Sequence, residues 1–387
     1  MPPLAERNLF HDRVRLAVTL TGVVFAVVLI MVQLGLFVGF SRTTTALVDK
    51  SRADLWVVSK NVPYIEQGVP FSERKLYTVR ATPGVAEAQN YIVRFSRWKR
   101  DDGQEEAVQV VGVNPESTMG QAWNIVEGRR EDLKVDDSVM VDRIYFQKLG
   151  VSRLGDTVEI AGRRARVVGL TQGIRTFTTS PYVFTNYRNA LDYANLRDDQ
   201  TMFILIKAQP GVNVEDLRRR LQAGLTDVDV LTRQRFSDMT RYYWLYTTGA
   251  GMAVLMGAAL GLLVGVVVVA QTIYSSTMDH LREFGTLKAM GATNAYIYKV
   301  IMRQAAIATV IGYALGISLS ILVVHESGKG GANIILPWQL GVGMLGLTVA
   351  MCVAAAFVSI NKVTRSIRPW CSSSRRTCSG GVPAAAL

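Results

Sequence analysis

The chain has 387 residues, of which 49% are hydrophobic, and a formal net charge of +12. This length allows more than one domain, and this hydrophobic fraction indicates a membrane protein. Basic residues cluster at the ends of apolar runs, as at Arg13 and Arg15, which is typical of membrane topology and predicts no nucleic-acid partner. The three cysteines, Cys352, Cys371 and Cys378, have no metal-binding spacing and predict neither a metal site nor a disulfide framework.

The N-terminal segment, residues 1–15, is basic with scattered apolar positions and is predicted to be a cytoplasmic amphipathic segment. Residues 16–40 carry no charge and predict a first transmembrane helix of about 37 Å. Because this run is longer than the core of a secretory signal and no small-residue cleavage site follows it, we expect a retained span.

Residues 41–244 mix charges with short and alternating apolar runs, which predicts a large α+β domain between the first and second spans. Two parts of it, residues 53–113 and 200–240, share a strand–helix–strand pattern and together predict one ferredoxin-like layer. Residues 114–199 are then predicted to be an inserted β-rich subdomain.

Two local predictions fall within the insertion. Val141–Leu149 is predicted to form a short helix. Turn residues around Gly162 predict a hairpin between strands at 157–160 and 165–170.

Three further apolar runs complete four predicted transmembrane helices. Tyr242, Tyr243 and Trp244 precede the second span and fit an interfacial aromatic belt. Loop charge predicts that both termini are cytoplasmic and that the large domain is extracytoplasmic. The predicted segments are a second span at 245–275, a cytoplasmic elbow at 276–296, a third span at 300–324, a short periplasmic loop at 325–337, a fourth span at 338–361 and a disordered cytoplasmic tail at 362–387.

Glycines recur at four-residue steps within the apolar runs. Such spacing lets helix backbones approach closely in lipid, although glycine is also simply frequent in transmembrane helices. Three glycines in register on the second span favour packing, either within one protomer or across a dimer seam. The predicted packing residues are Gly35, Gly39, Gly257, Gly261, Gly265, Gly312 and Gly316.

The polar interval Asp279–Asn294, DHLREFGTLKAMGATN, separates two long apolar runs. Apolar residues at steps of three predict a short helix, Gly291 suits its C-terminus, and Thr293 or Asn294 suits the cap of the next helix. From periodicity alone, the favoured interpretation is an amphipathic helix lying in the lipid headgroups.

The run EFGTLKAMGA, Glu283–Ala292, resembles the E-x-G-x-L-x-A-x-G-A signature of FtsX/MacB-type ABC transporter permeases. With Asn8–Arg15, NLFHDRVR, the chain is most similar to DevC-like permeases of heterocyst glycolipid exporters. The resemblance implies an α-helical membrane protein with four transmembrane helices and a MacB-type periplasmic domain between helices 1 and 2. It also implies that the interval is a coupling helix seated on a separate ATPase. The implied coupling residues are Leu281, Arg282, Glu283, Phe284, Gly285, Leu287, Lys288, Gly291 and Ala292.

Two features that the sequence lacks limit the activities it predicts: a nucleotide-binding motif and charged residues within the apolar runs. The sequence contains no G-x-x-x-x-G-K-[ST], so a non-catalytic subunit without a cofactor is predicted, with ATP hydrolysis on a partner chain. The apolar runs at 16–40, 245–275, 304–324 and 338–361 contain no charged residue, which argues against proton or sodium coupling.

The predicted function is that of the permease subunit of an ABC exporter in the inner membrane, working by mechanotransmission on lipid or glycolipid. The implied partners are a DevA/MacB-like ATPase, a second permease copy in a homodimer, a periplasmic adaptor of the membrane fusion protein class, a TolC-like outer-membrane channel and membrane lipid. An FtsX-like regulator of a periplasmic cell-wall hydrolase is the alternative. A four-span sensory receptor is disfavoured because the predicted cytoplasmic parts are too short for a signalling domain.

Overall fold

A computed structural model describes residues 13–178, 180–279, 286, 290, 293–327 and 334–354. The chain divides into two compact units. The globular unit is Gly39–Met252, and the helical unit combines Met1–Val38 with Ala253–Leu387.

The globular unit is built on a ten-stranded mixed sheet, with a separate two-stranded ribbon of β2 and β10. Many strands are rich in valine, isoleucine and aromatic residues, which favour the pleated conformation. The strands are β1 Leu55–Ser59, β2 Phe71–Ser72, β3 Val85–Lys99, β4 Glu105–Val113, β5 Ile125–Glu127, β6 Ser138–Asp142, β7 Thr157–Ile160, β8 Arg163–Thr171, β9 Tyr182–Asn186, β10 Gln200–Thr201, β11 Phe203–Ala208 and β12 Val228–Thr232.

Seven described α-helices begin in the globular unit or lead into it. Several begin at side-chain caps, as where Asn213 Oδ1 accepts hydrogen bonds from the backbone N–H groups of Glu215 and Asp216 at 2.9 and 3.3 Å. They are α1 Arg13–Thr44, α2 Ala46–Lys50, α3 Lys75–Ala81, α4 Phe146–Leu149, α5 Tyr187–Tyr193, α6 Val214–Gly224 and α7 Arg233–Tyr242.

One end of the sheet has the strand order β12-β1-β11-β3, with every neighbouring pair antiparallel. Helix α3 joins β1 to β3 and α6 joins β11 to β12, so this end has a ferredoxin-like topology. Strand β1 is buried on both faces: Leu55 and Val57 pack with the buried leucines of α3 and α6, while Trp56 and Val58 belong to the larger core.

The strands of the insertion continue the same sheet. Strand β9 pairs in parallel with β4, and β6 pairs with both β9 and β8. The hairpin predicted over Gly162 is present, with Ile160 opposite Arg163 and both turn residues, Ala161 and Gly162, at positive φ.

The helix predicted at Val141–Leu149 is wrong in its first half. Val141 and Asp142 end strand β6, a 3₁₀ turn covers Arg143–Tyr145, and α-helix is confined to Phe146–Leu149. The physical reason is that Val139, Met140 and Val141 are fully buried beside neighbouring strands, a tertiary environment that overrides the local helical pattern.

The helical unit continues with α8 Ala250–Asp279, α9 Asn294–Ser327 and α10 Trp338–Ala354. Among the described residues, three stretches are long and apolar enough to cross a membrane: Leu16–Thr44, Ala250–Gln271 and Thr309–Ser327. Helix α10 is shorter, and the rest of the fourth predicted span lies outside the described residues. The count of four therefore stays a prediction.

Candidate functional site

The nine predicted coupling residues all lie outside the described residues. Thr286 and Met290, from the same interval, are described. The backbone N–H of Met290 donates to the carbonyl oxygen of Thr286 at 3.0 Å, which is the i to i+4 bond of an α-helical turn.

The three glycines of α8 contact α1 within the helical unit. An ideal Cβ at Gly257 would lie 2.7 Å from Gln33 Nε2, one at Gly261 would lie 2.9 Å from Leu29 Cδ2, and one at Gly265 would lie 2.5 Å from Ala26 Cβ. As the residue number rises along α8, the residue number of the contacted side chain falls along α1, so the two helices run antiparallel. No side chain fits at these positions unless the neighbouring atoms shift.

The glycines of α9 contact the next part of α1. A Cβ at Gly312 would lie 2.6 Å from Val23, and one at Gly316 would lie 2.7 Å from Val27. In these contacts the residue numbers rise together along both helices, so α1 and α9 run parallel. Helix α1 is therefore packed against both α8 and α9 along glycine rows.

The remaining predicted glycines have different surroundings. A Cβ at Gly35 would lie 2.7 Å from Ile334, and the Gly35 carbonyl oxygen accepts a hydrogen bond from the backbone N–H of Ile335 at 3.1 Å. Gly39 is buried, and its carbonyl oxygen accepts from Thr43 Oγ1 at 2.9 Å.

One close-packed glycine was missed by the sequence reasoning. Gly22 faces Val268 so closely that an added Cβ would overlap its side chain. Its spacing of four from Ala26 was the available signal, since alanine serves as well as glycine in such rows.

The helix that contains most of the second predicted span begins after position 245. Tyr243–Thr247 forms a π-helical turn, hereafter the π turn, in which the Thr248 N–H donates to the Tyr243 carbonyl oxygen at 3.0 Å. Gly249 then takes a left-handed conformation with φ +76°, and α8 starts at Ala250. Helix α8 starts five residues after the predicted start of the span, because the apolar run continues through residues whose backbone interrupts the helix. The span boundary itself stays a prediction.

Helix α7, hereafter the stalk helix, is tied to α2 through Arg241. Its guanidinium donates to Asp238 at 3.0 Å and to Thr45 Oγ1 at 3.4 Å, and lies 3.7 Å from the Asp49 carboxylate. The stalk helix therefore ends at a polar contact with the segment that follows α1.

The predicted aromatic belt is divided by the π turn. Tyr242 and Tyr246 are 64% and 47% exposed and lie side by side. Tyr243 and Trp244 instead pack inward. Tyr243 stacks on Tyr64 with ring centroids 4.0 Å apart. The rings of Tyr243 and Trp244 therefore make contacts within the globular unit, and the belt interpretation stays a prediction.

Trp244 also contacts two groups that are distant in sequence. Its ring lies 4.2 Å from that of Phe177, and its indole N–H donates to Glu66 Oε2 at 3.3 Å. The other carboxylate oxygen of Glu66, Oε1, is buried without a hydrogen-bond partner. Burial raises the pKa of Glu66 to about 7, against the opposing effect of its own backbone N–H and the Trp244 indole.

Two families match this sequence. The MacB-like periplasmic core domain matches residues 16–223, and the FtsX-like permease C-terminal family matches residues 255–366. Together with the mixed sheet and the long apolar helices, these matches define an ABC transporter permease. The chain belongs to the FtsX/MacB family of these permeases.

Individual relatives are distant. An "Uncharacterized ABC transporter permease" of Mycobacterium tuberculosis is 24% identical over 373 residues, which cover 94% of this chain and 96% of the relative. "Macrolide export ATP-binding/permease protein MacB" of Escherichia coli is 21% identical over 386 residues, which cover 94% of this chain and 58% of MacB. The periplasmic region of MacB from Actinobacillus actinomycetemcomitans matches 48% of this chain and 90% of its own, with 13% identity and a TM-score of 0.38. Family membership implies an ABC ATPase partner.

Proposed function

We propose that this chain is the non-catalytic permease subunit of an ABC exporter that works by mechanotransmission. A separate ATPase hydrolyses ATP in the cytoplasm and moves the coupling elbow, residues 276–296. Helices α1 and α8 carry that motion through the membrane to the globular unit, which acts on the cargo outside.

The single observation that carries the proposal is the continuity of α8. It is one 30-residue helix, Ala250–Asp279, or about 45 Å long. It begins directly after Gly249, which follows the π turn, and it ends at Asp279, within the predicted coupling elbow. Its glycine row along α1 supports the idea that the two helices move as a pair.

The wider assembly follows from the family resemblance. We propose a homodimer of the permease with two ATPase subunits, in the inner membrane, with both termini cytoplasmic and the globular unit periplasmic. A membrane fusion protein and a TolC-like channel would receive the cargo. A lipid or glycolipid cargo rests on the resemblance to DevC-like permeases.

The coupling role is tested by reconstituting the full chain with its ATPase in proteoliposomes. Replacing Glu283 or Gly291 with tryptophan is expected to leave insertion and ATPase binding intact but to reduce transport to background. Glu131→Trp is the control, because Glu131 is an exposed acidic residue of the globular unit. Unchanged transport in the Glu283 and Gly291 variants would refute the coupling assignment.

The cargo and the alternative function are tested on cells that lack the gene. Export of lipid predicts a specific lipid missing from the outer envelope, identified by mass spectrometry, and the same lipid retained by the purified complex. Normal lipid export together with failed cell-wall hydrolysis would instead favour the FtsX-like regulator.

A further inference from the structure

We propose that Glu66 is a proton-controlled latch for the π turn. When its carboxyl group is neutral, Glu66 holds Trp244 against the globular unit, and when the group ionises, Trp244 and the π turn are released. The latch is independent of the proposed transport, because every group in it belongs to the globular unit.

The first reason is that the Glu66 carboxylate has no compensating charge. It forms no ion pair among the described residues, and its Oε1 atom is buried without a partner. A buried carboxylate in this setting favours the neutral form, since desolvation penalises the charge and no cation offsets it. Docking of the π turn therefore places the ionised carboxylate in an unfavourable site.

Among the described residues, the titrating groups that interact with Glu66 are not cations. They are tyrosines: Tyr64, two positions before it in the chain, and Tyr182 on β9. Burial raises the pKa of Tyr64 to about 12 and raises that of Tyr182, so both stay neutral near pH 7. Arg175 lies two residues before Phe177 in the segment against Trp244 and forms no ion pair with Glu66.

Several further polar atoms are buried without partners on the same side of the stalk helix. Phe236, Thr240 and Trp244 follow one another at four-residue steps. Thr240 Oγ1 has no hydrogen-bond partner, and neither does the indole N–H of Trp56, whose ring contacts Phe236. The Tyr91 hydroxyl, on the ring packed against Trp56, is likewise unpartnered. Each polar group left unpaired in this way costs free energy in the docked state, which opposes the packing of the stalk helix and the π turn against this part of the core.

The position of the π turn in the chain determines which residues its release would affect. The turn is followed by Gly249 in a left-handed conformation and then by α8. A residue at positive φ between two helices is a place where the chain can change direction. Release of Trp244 therefore frees the backbone of the π turn up to Gly249.

The test uses the full chain in lipid nanodiscs, labelled with 5-fluorotryptophan and followed by fluorine NMR. The protein has six tryptophans, and Trp244→Phe identifies the Trp244 signal. That signal is expected to titrate with a midpoint near pH 7. In Glu66→Gln it is expected to stay at its low-pH position, because the amide carbonyl accepts the indole hydrogen bond but does not ionise.

Glu131→Gln is the matched control and is expected to titrate like the wild type. The other five tryptophan signals show whether Glu66→Gln is folded. The proposal is overturned when the wild-type Trp244 signal does not respond to pH, or when its titration persists in Glu66→Gln.

A second measurement needs no substitution. Exchange of the Trp244 indole proton with solvent, corrected for its intrinsic pH dependence, is expected to be about tenfold faster at one pH unit above the midpoint than at one pH unit below it, because the ionised fraction of Glu66 rises about tenfold over that interval. Equal corrected rates on both sides of the midpoint would also overturn the latch. Neither readout involves an ATPase or a cargo, so failure of the latch is distinct from failure of the transport proposal.

Discussion

Tyr64 and Tyr243 lie 179 positions apart in the chain, yet their rings stack with centroids 4.0 Å apart and planes inclined by 18°. The stack fixes the first residue of the π turn to the segment that carries Glu66. Tyr64→Ala is expected to destabilise the globular unit by about 1 kcal/mol beyond the loss of buried area. Thermal unfolding of the purified full chain measures the change.

Two controls separate stacking from loss of an aromatic residue. Tyr64→Phe keeps the ring and should retain most of the stability. Tyr77→Ala removes a tyrosine that is 68% exposed and should have little effect. Equal destabilisation by Tyr64→Ala and Tyr77→Ala would contradict the role given to the stack.

The glycines of α8 that contact α1 are expected to tolerate added side chains poorly. In Gly261→Val the new Cβ would lie 2.9 Å from Leu29 Cδ2, so we expect overpacking that costs about 1 to 3 kcal/mol and a lower yield of monodisperse protein. Gly346→Val is the control, because a Cβ there meets no atom within 4 Å. Size-exclusion chromatography and thermal unfolding compare the two, and identical behaviour would argue against the close packing of α8 on α1.

Replacing Gly249 is expected to lower stability through the backbone conformation alone. A Cβ there meets nothing within 4 Å, but φ is +76°, so Gly249→Ala is expected to cost about 1 to 2 kcal/mol through backbone strain alone. Gly224→Ala also adds a Cβ in open space, but without positive φ, and should be neutral or stabilising. Hydrogen exchange over Tyr243–Ala250 should change only in the Gly249 variant.

Replacing Arg241 is expected to lower the stability of the protein by a small, salt-dependent amount. Its pairs with Asp238 and Asp49 are partly exposed, so Arg241→Ala is expected to cost no more than about 1 kcal/mol, with a smaller loss at high salt. Arg219→Ala is the control, because it breaks one exposed pair with Asp216 within α6. Hydrogen exchange in Ala46–Lys50 should increase only when Arg241 is replaced.

Glu66 predicts a pH dependence of stability with a definite sign. Its pKa is about 7 in the folded protein against an ordinary value of 4.5, so the folded state binds more protons between these values. The free energy of unfolding should therefore fall as pH rises from about 4.5 through about 7, by up to about 3 kcal/mol, and then level off. Glu66→Gln should remove this contribution, and denaturant unfolding at a series of pH values measures it.

Local patterns in the sequence determined the elements whose cause is local. The long uncharged runs predicted the long apolar helices, because the length and composition of such a run are properties of the sequence alone. The turn at Gly162 gave its hairpin, because a two-residue turn with positive φ depends on the residues in it. The EFGTLKAMGA run pointed to the family to which the chain belongs.

The tertiary structure alone decided features that depend on distant partners. Val139–Val141 is strand because its neighbours in the sheet bury it, although Val141 onward has a helical pattern. Tyr243 and Trp244 face inward while Tyr242 and Tyr246 face outward, a division that no apolar run reveals. Glu66 is an ordinary acidic residue in sequence, and its buried carboxylate depends on Trp244, 178 positions away. Burial is a property of the packed chain, so it can be read only once the partners are in place.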